Sequence, residues 1–220
     1  MSSVVSVWTR QDASGVRSFS PLEPGTWEAE AKRQLDRDPA ALKFGLLPGP
    51  LHLQAAARLC ALALERGIPV VLDPVLGSSS GFAFLDAAGV SSLRAQLLVQ
   101  RLVLTPNLPE GAALLGESPA PERFAELPKR LGMAQRILDL GVRAVLLKGG
   151  HGAEDPVQDL VLERGQSAHW HSHRRLVGRS LGGSGCRYAS SVAAGLAQGL
   201  ELREAAAQAG DYVLQRLQRS

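Results

Sequence analysis

Apolar residues in this chain fall into two alternating patterns. Short, almost uninterrupted runs of Val, Leu and Ile are separated by longer Ala- and Leu-rich stretches whose apolar positions recur at helical spacing. The runs predict strands at Val4–Trp8, Leu42–Gly45, Pro69–Leu72, Leu102–Thr105 and Val142–Leu147, and the stretches predict helices at Thr26–Leu35, Leu51–Arg66, Val90–Leu98, Pro109–Leu115 and Leu131–Leu140. Several helices reach the next strand through a glycine, as at Gly67 and Gly141, where a left-handed C-terminal cap is expected. Repeated βα units of this kind predict an α/β domain with a mostly parallel sheet, because strands buried on both faces have no polar side to alternate with. After Lys148 the pattern turns hairpin-like. Leu160–Glu163 and Ser167–His171 flank Arg164-Gly165 and are expected as antiparallel edge strands, followed by helices at Tyr188–Leu200 and Leu202–Leu217.

Composition narrows the class. With 220 residues and 45% hydrophobic content, the chain can bury one substantial core, so a single domain over 1–220 is expected. Aromatic residues are only 5%, so Leu, Val and Ala must fill that core. The 24 basic and 21 acidic residues are interspersed and leave a formal charge of +3, which gives no extended basic face for nucleic acid. Two cysteines cannot build a disulfide framework and lack the paired spacing of a zinc site, consistent with a reducing compartment. The opening residues lack the charged head and apolar stretch of a secretory signal, and no apolar run approaches a membrane span. A soluble cytoplasmic protein is the expectation.

Candidate chemistry gathers where strands end. Gly183-Ser184-Gly185-Cys186 opens a helix, and glycines there let backbone N–H groups converge on an anion, although a plain turn before a buried helix has the same sequence. Asn107 and Glu110 follow a buried strand and are placed to hold magnesium beside phosphates, or simply to cap the next helix. Lys148-Gly149-Gly150-His151 offers a point charge for a phosphate, and Asp73-Pro74-Val75 places a carboxylate at a further strand end, where open α/β sheets bind ligands. His169, His171 and His173 alternate along one strand. They can bind a transition metal, or serve as the polar face of an edge strand that resists aggregation.

The segments Val70–Val75, Leu104–Glu110, Val145–His151 and Gly183–Cys186 occur in the order and approximate spacing of the hydroxymethylpyrimidine and phosphomethylpyrimidine kinases, which the chain resembles over most of its length. A cysteine closing the glycine loop, where many ribokinase relatives carry aspartate, fits the pyrimidine and some pyridoxal kinases. The resemblance implies a ribokinase-like three-layer α/β/α fold and ATP-dependent phosphorylation of 4-amino-5-hydroxymethyl-2-methylpyrimidine or its monophosphate in thiamine biosynthesis. Pyridoxal kinase activity, or nucleotide and pyrimidine binding without turnover, are the alternatives. By the same resemblance Gly183, Ser184 and Gly185 receive the transferring phosphoryl group. Cys186 stands by the acceptor hydroxyl as base, a role that a thiol pKa lowered by the helix N-terminus would suit. Lys148, Asn107 and Gly150 contact the nucleotide, Asp73, Asn107 and Glu110 organise Mg²⁺, and Gln11, Gly45, Leu46 and Val75 line the pyrimidine pocket. A homodimer is also implied.

The resemblance is incomplete at both ends. The family's opening strand and glycine-rich turn have no counterpart in the sequence, and neither has its last segment, so a misassigned start or a truncated chain is expected, with a degenerate protein that binds without catalysis or a kinase whose partner completes the site as the alternatives. Gly182 occupies a position often filled by histidine, and Arg187 one often filled by a small polar residue.

Overall fold

The computed structural model describes residues 2–12, 15–78, 80–120, 124, 126–176 and 182–219. Six strands form one sheet in the order β3-β4-β5-β6-β7-β8: β3 (Leu42–Phe44), β4 (Val70–Leu72), β5 (Val103–Leu104), β6 (Ala144–Leu147), β7 (Val157–Glu163) and β8 (His169–His173). The first four run parallel, and β7 and β8 add antiparallel to β6. Strand order follows chain order, so each helical crossover lands beside the strand before it.

Seven α-helices are described: α1 (Pro24–Leu35), α2 (Pro50–Glu65), α3 (Ala87–Gln96), α4 (Leu108–Leu114), α5 (Leu127–Asp139), α6 (Ser184–Ala197) and α7 (Leu202–Gln218). The period-two geometry of the strands divides the core between the two faces of the sheet. Val70, Leu72, Leu104, Val145, Leu147 and Leu160 pack into one cluster with residues of α1 to α5. Val71, Val103, Ala144, Leu146 and Val161 pack into the other with α6 and α7. The apolar runs are uninterrupted because both faces need burial, and the result is an α/β/α sandwich. No described helix is long and apolar enough to cross a membrane.

The expected strand at Val4–Trp8 needs correction. The chain there forms β1 (Val7–Asp12), which pairs antiparallel with β2 (Gly15–Pro21) in a hairpin separate from the six-stranded sheet. Exposed and half-buried positions dominate β2, so it carries none of the hydrophobic signal that marks the other strands. Phe19 ties the hairpin to the loop after β4 by stacking on Phe84 at 5.5 Å and meeting Phe82 at 5.9 Å.

Helix starts are set by side chains. Glu23 caps α1 by accepting from the N–H groups of Gly25 at 2.9 Å and Thr26 at 2.6 Å, with Pro24 in the first turn, and Asp86 caps α3 by accepting from Gly89 at 2.8 Å. The α6 start differs. Its N-cap is Gly183 in the left-handed region at φ 73°, with no side-chain cap, so the first N–H groups of α6 are not covered by a capping side chain.

Candidate active site

The carboxyl ends of β3 to β6 carry the residues of interest. Asp73 follows β4 and is 2% exposed, and its N–H donates to the Phe44 carbonyl at 2.9 Å. Pro74 keeps Asp73 extended, and the Val75 N–H folds back onto the Asp73 carbonyl at 2.9 Å, which turns the chain away and leaves the carboxylate at the strand tip. That carboxylate accepts from Lys148 Nζ at 3.0 Å and from Thr105 Oγ1 at 3.3 Å. Thr105 comes from the strand end between them, so the ion pair bridges three neighbouring strand ends.

The parallel pairing of β5 and β6 continues past their regular ends. The Lys148 N–H donates to the Pro106 carbonyl at 2.9 Å, and Asn107 and Lys148 form a parallel bridge that sets the two motifs side by side. Asn107 Oδ1 accepts from the Glu110 N–H at 2.8 Å, while Glu110 Oε2 accepts from the Asn107 N–H at 2.7 Å. This is a reciprocal capping box at the start of α4. Asn107 therefore spends its side-chain oxygen on the helix, and Glu110 keeps one carboxylate oxygen outside the box.

Burial pushes the Glu110 carboxyl up to about 7. Lys148 and the Asn107 N–H oppose the rise, and the Asp73 charge adds to it. Because the folded protein holds this proton more tightly than the unfolded chain, stability falls as pH rises from the ordinary carboxyl range through about 7. Glu110→Gln is expected to flatten that fall, which urea unfolding between pH 5 and pH 8 would read as a shallower loss than in the wild type. An equally steep loss in the variant would assign the titration to another group.

The glycine loop reaches the same place. A Cβ built on Gly185 would lie 3.1 Å from Lys148 Nζ, so the start of α6 sits against the ammonium that pairs with Asp73. Cys186 is exposed at the mouth of a cleft of about 560 Å³, which Gly183, Arg187 and Ser190 help to line. Its thiol departs from expectation. Crowding by protein atoms raises the thiol pKa, and the Asp73 charge raises it further. Lys43 and Lys148 pull the other way and are outweighed. Burial and the Asp73 charge outweigh the helix N-terminus, so the thiol form of Cys186 is favoured over a resting thiolate.

The structure thus brings together Asp73, Glu110, Lys148, Gly185 and Cys186, with Asn107 held alongside by its bridge to Lys148. Gly183 and Ser184 form the start of α6. Gly45 also lies on this side, since a Cβ there would meet Lys43 Nζ at 2.7 Å, and Leu46 follows it, its carbonyl accepting from Ser6 Oγ at 2.7 Å. Gly150 is exposed beyond Lys148. Gln11 lies in the β1–β2 hairpin, where its pairing register with Val16 follows a bulge, and its side chain is outside the described part. Burial and the Lys148 charge hold the His151 pKa down.

On β8, His173 Nε2 lies 3.2 Å from Asp159 Oδ2, and the described residues contain no group of His, Cys, Asp or Glu that could hold a metal. Sequence reasoning misses Thr105 and Lys43 as members of the site. Thr105 lies inside the Leu104–Glu110 segment and Lys43 in the middle of β3, and neither residue type marks itself there as part of a site.

Comparison with known proteins agrees with this geometry. A family profile described as phosphomethylpyrimidine kinase matches residues 1–220. The hydroxymethylpyrimidine/phosphomethylpyrimidine kinase of Streptomyces coelicolor is 36% identical over 212 residues, covering 96% of this chain and 75% of that protein. Among solved structures, pyridoxal kinase from Staphylococcus aureus in complex with AMP-PCP and pyridoxal superposes with a TM-score of 0.81 at 24% identity, over 96% of this chain and 74% of that one. Phosphomethylpyrimidine kinase from Clostridium difficile gives 0.77 at 23% identity, over 97% and 85%. These structural likenesses establish the ribokinase-like fold. The full-length profile match and the sequence identity together establish that the chain belongs to the phosphomethylpyrimidine kinase family.

Proposed function

We propose that this chain is a single-domain kinase over 1–220 that transfers the terminal phosphoryl group of ATP to 4-amino-5-hydroxymethyl-2-methylpyrimidine or its monophosphate. The observation that carries the reading is the meeting of Asp73, Lys148 and the Gly185-Cys186 helix start, which come from separate parts of the chain, beside helix N–H groups that no side chain caps. In phosphoryl transfer most of the work is positioning and charge neutralisation, and this arrangement supplies both.

Lys148 neutralises the nucleotide phosphates, with Gly150 and the Asn107 backbone beside it. Gly183, Ser184 and Gly185 offer N–H groups to the group in transit. Cys186 orients the acceptor oxygen from a thiol that is protonated at rest. Gly45, Leu46, Val75 and Gln11 form the pyrimidine side.

Mg²⁺ fits the donors present. Glu110 is a half-buried carboxyl raised to about 7 by its burial and by the Asp73 charge, against the pull of Lys148, and one of its oxygens is outside the capping box. Two carboxylates are too few to cage a metal by themselves, which suits an ion held largely by phosphate oxygens and water. Bound there by Glu110 and Asp73, magnesium would supply charge neutralisation across the nucleotide phosphates. Apparent affinity for Mg²⁺–ATP is expected to improve as pH rises through about 7, when Glu110 ionises, and to lose that dependence in Glu110→Gln.

The deciding assay incubates the protein with Mg²⁺–ATP and, separately, the hydroxymethylpyrimidine, its monophosphate and pyridoxal, and separates the products chromatographically. Phosphorylated pyrimidine with stoichiometric ADP is expected. Phosphorylation of pyridoxal alone would move the assignment to pyridoxal kinase, and nucleotide binding without any product would make the chain a binder.

A further inference from the structure

The segment that follows Lys148 is held from behind by groups that take no part in the chemistry above. The Gly149 N–H donates to buried Asp159 at 2.6 Å. Beyond it, three backbone carbonyls converge on one guanidinium: Arg175 donates from Nη1 to the Gly150 carbonyl at 3.2 Å, from Nη2 to Gly152 at 2.8 Å and from Nε to Glu154 at 3.0 Å. The Arg175 N–H adds a bond to Asp155 Oδ1 at 3.2 Å.

The far end of the loop is fixed as firmly. Arg130, 1% exposed, pairs both its terminal nitrogens with the Glu154 carboxylate, Nη2 to Oε2 at 2.6 Å, and its Nε donates to the Phe124 carbonyl at 2.7 Å. A planar fork of N–H donors suits this task, since it can hold several carbonyls in fixed directions where a lysine ammonium is a single compact charge.

We propose that Arg175 is a positioning residue for the nucleotide. By gathering the carbonyls of Gly150, Gly152 and Glu154 it fixes the course of the loop that leaves Lys148, and with it the placement of Lys148 and of the Gly150 backbone against the phosphates. The inference rests on the kinase reading. It also makes a selective claim, because none of the bonds described for Arg175 reaches Gly45, Leu46 or Val75 on the pyrimidine side.

The test compares Arg175→Ala and Arg175→Lys with the wild type by steady-state kinetics, by titration of a fluorescent ATP analogue and by hydrogen exchange of the peptide spanning 149–154. Loss of these bonds is expected to raise KM for ATP and weaken analogue binding about tenfold, a step equivalent to one or two net hydrogen bonds. KM for the pyrimidine should change less than about twofold, exchange in 149–154 should quicken, and Arg175→Lys should fall between. A parallel rise of both KM values would signal a merely structural role and overturn the inference. Unchanged exchange in Arg175→Ala would overturn it too, whatever the activity. Failure of the kinase reading looks different: the wild type itself would neither bind the analogue nor form product, and the positioning role would fall with it.

Discussion

Lys148→Met is expected to lower kcat/KM for ATP by about 10²–10³, the usual consequence of deleting a preorganised charge from a phosphoryl-transfer site. The same substitution should destabilise the fold. Asp73 is 2% exposed and would keep only the Thr105 hydroxyl, at 3.3 Å, of its two side-chain donors. A buried carboxylate stripped of its cation costs about 3 kcal/mol. The two effects separate in the double variant Asp73→Asn/Lys148→Met, which leaves neither charge of this pair in place. Its stability should recover while its ATP defect remains. Urea unfolding reads the first and initial rates read the second. A Lys148→Met protein with kcat/KM within threefold of wild type would remove Lys148 from the phosphate site.

Gly149→Ala should be the costliest small substitution in the motif. A Cβ there would lie 2.0 Å from the Gln158 carbonyl oxygen and 2.7 Å from its carbon. Those atoms belong to β7, which is laddered to β6 on one side and β8 on the other, so neither the loop nor the strand can give way alone. Overpacking against a fixed backbone costs about 3 kcal/mol. The adjacent Gly150 is the control, since a Cβ there meets nothing within 4 Å. Gly150→Ala should leave stability within about 0.5 kcal/mol of wild type. Parallel thermal melts decide the matter, and equal melting temperatures for the two variants would mean that the β6–β7 connection adapts to a side chain.

The parallel strands were readable from the chain because burial on both faces writes itself as unbroken apolar runs, as in Val70-Val71-Leu72 and Ala144–Leu147. The hairpin was not. β2 leaves Arg17, Ser18 and Ser20 outward and stands apart from the sheet, so little burial shapes its composition. Candidate site residues at strand ends were legible for a topological reason: β4, β5 and β6 are adjacent and parallel, and their carboxyl ends are neighbours by construction. The Arg175 contacts had no such marker. Main-chain carbonyls accept hydrogen bonds whatever the side chain, so a guanidinium that binds three of them leaves no pattern in the sequence. The raised thiol pKa of Cys186 was equally hidden, because it depends on burial by surrounding protein atoms and then on the charge of Asp73, more than a hundred positions earlier in the chain.

The Asp73–Lys148 contact joins residues 75 positions apart in sequence across the intervening strand that supplies Thr105. No isolated βα unit contains even two of these groups, so a partly folded chain lacks the proposed phosphate grip. On that site, nucleotide occupancy would be coupled to completion of the whole sandwich. A ligand that binds only the finished state shifts the folding equilibrium by mass action, and raising ATP should delay melting of the entire domain as a single cooperative event.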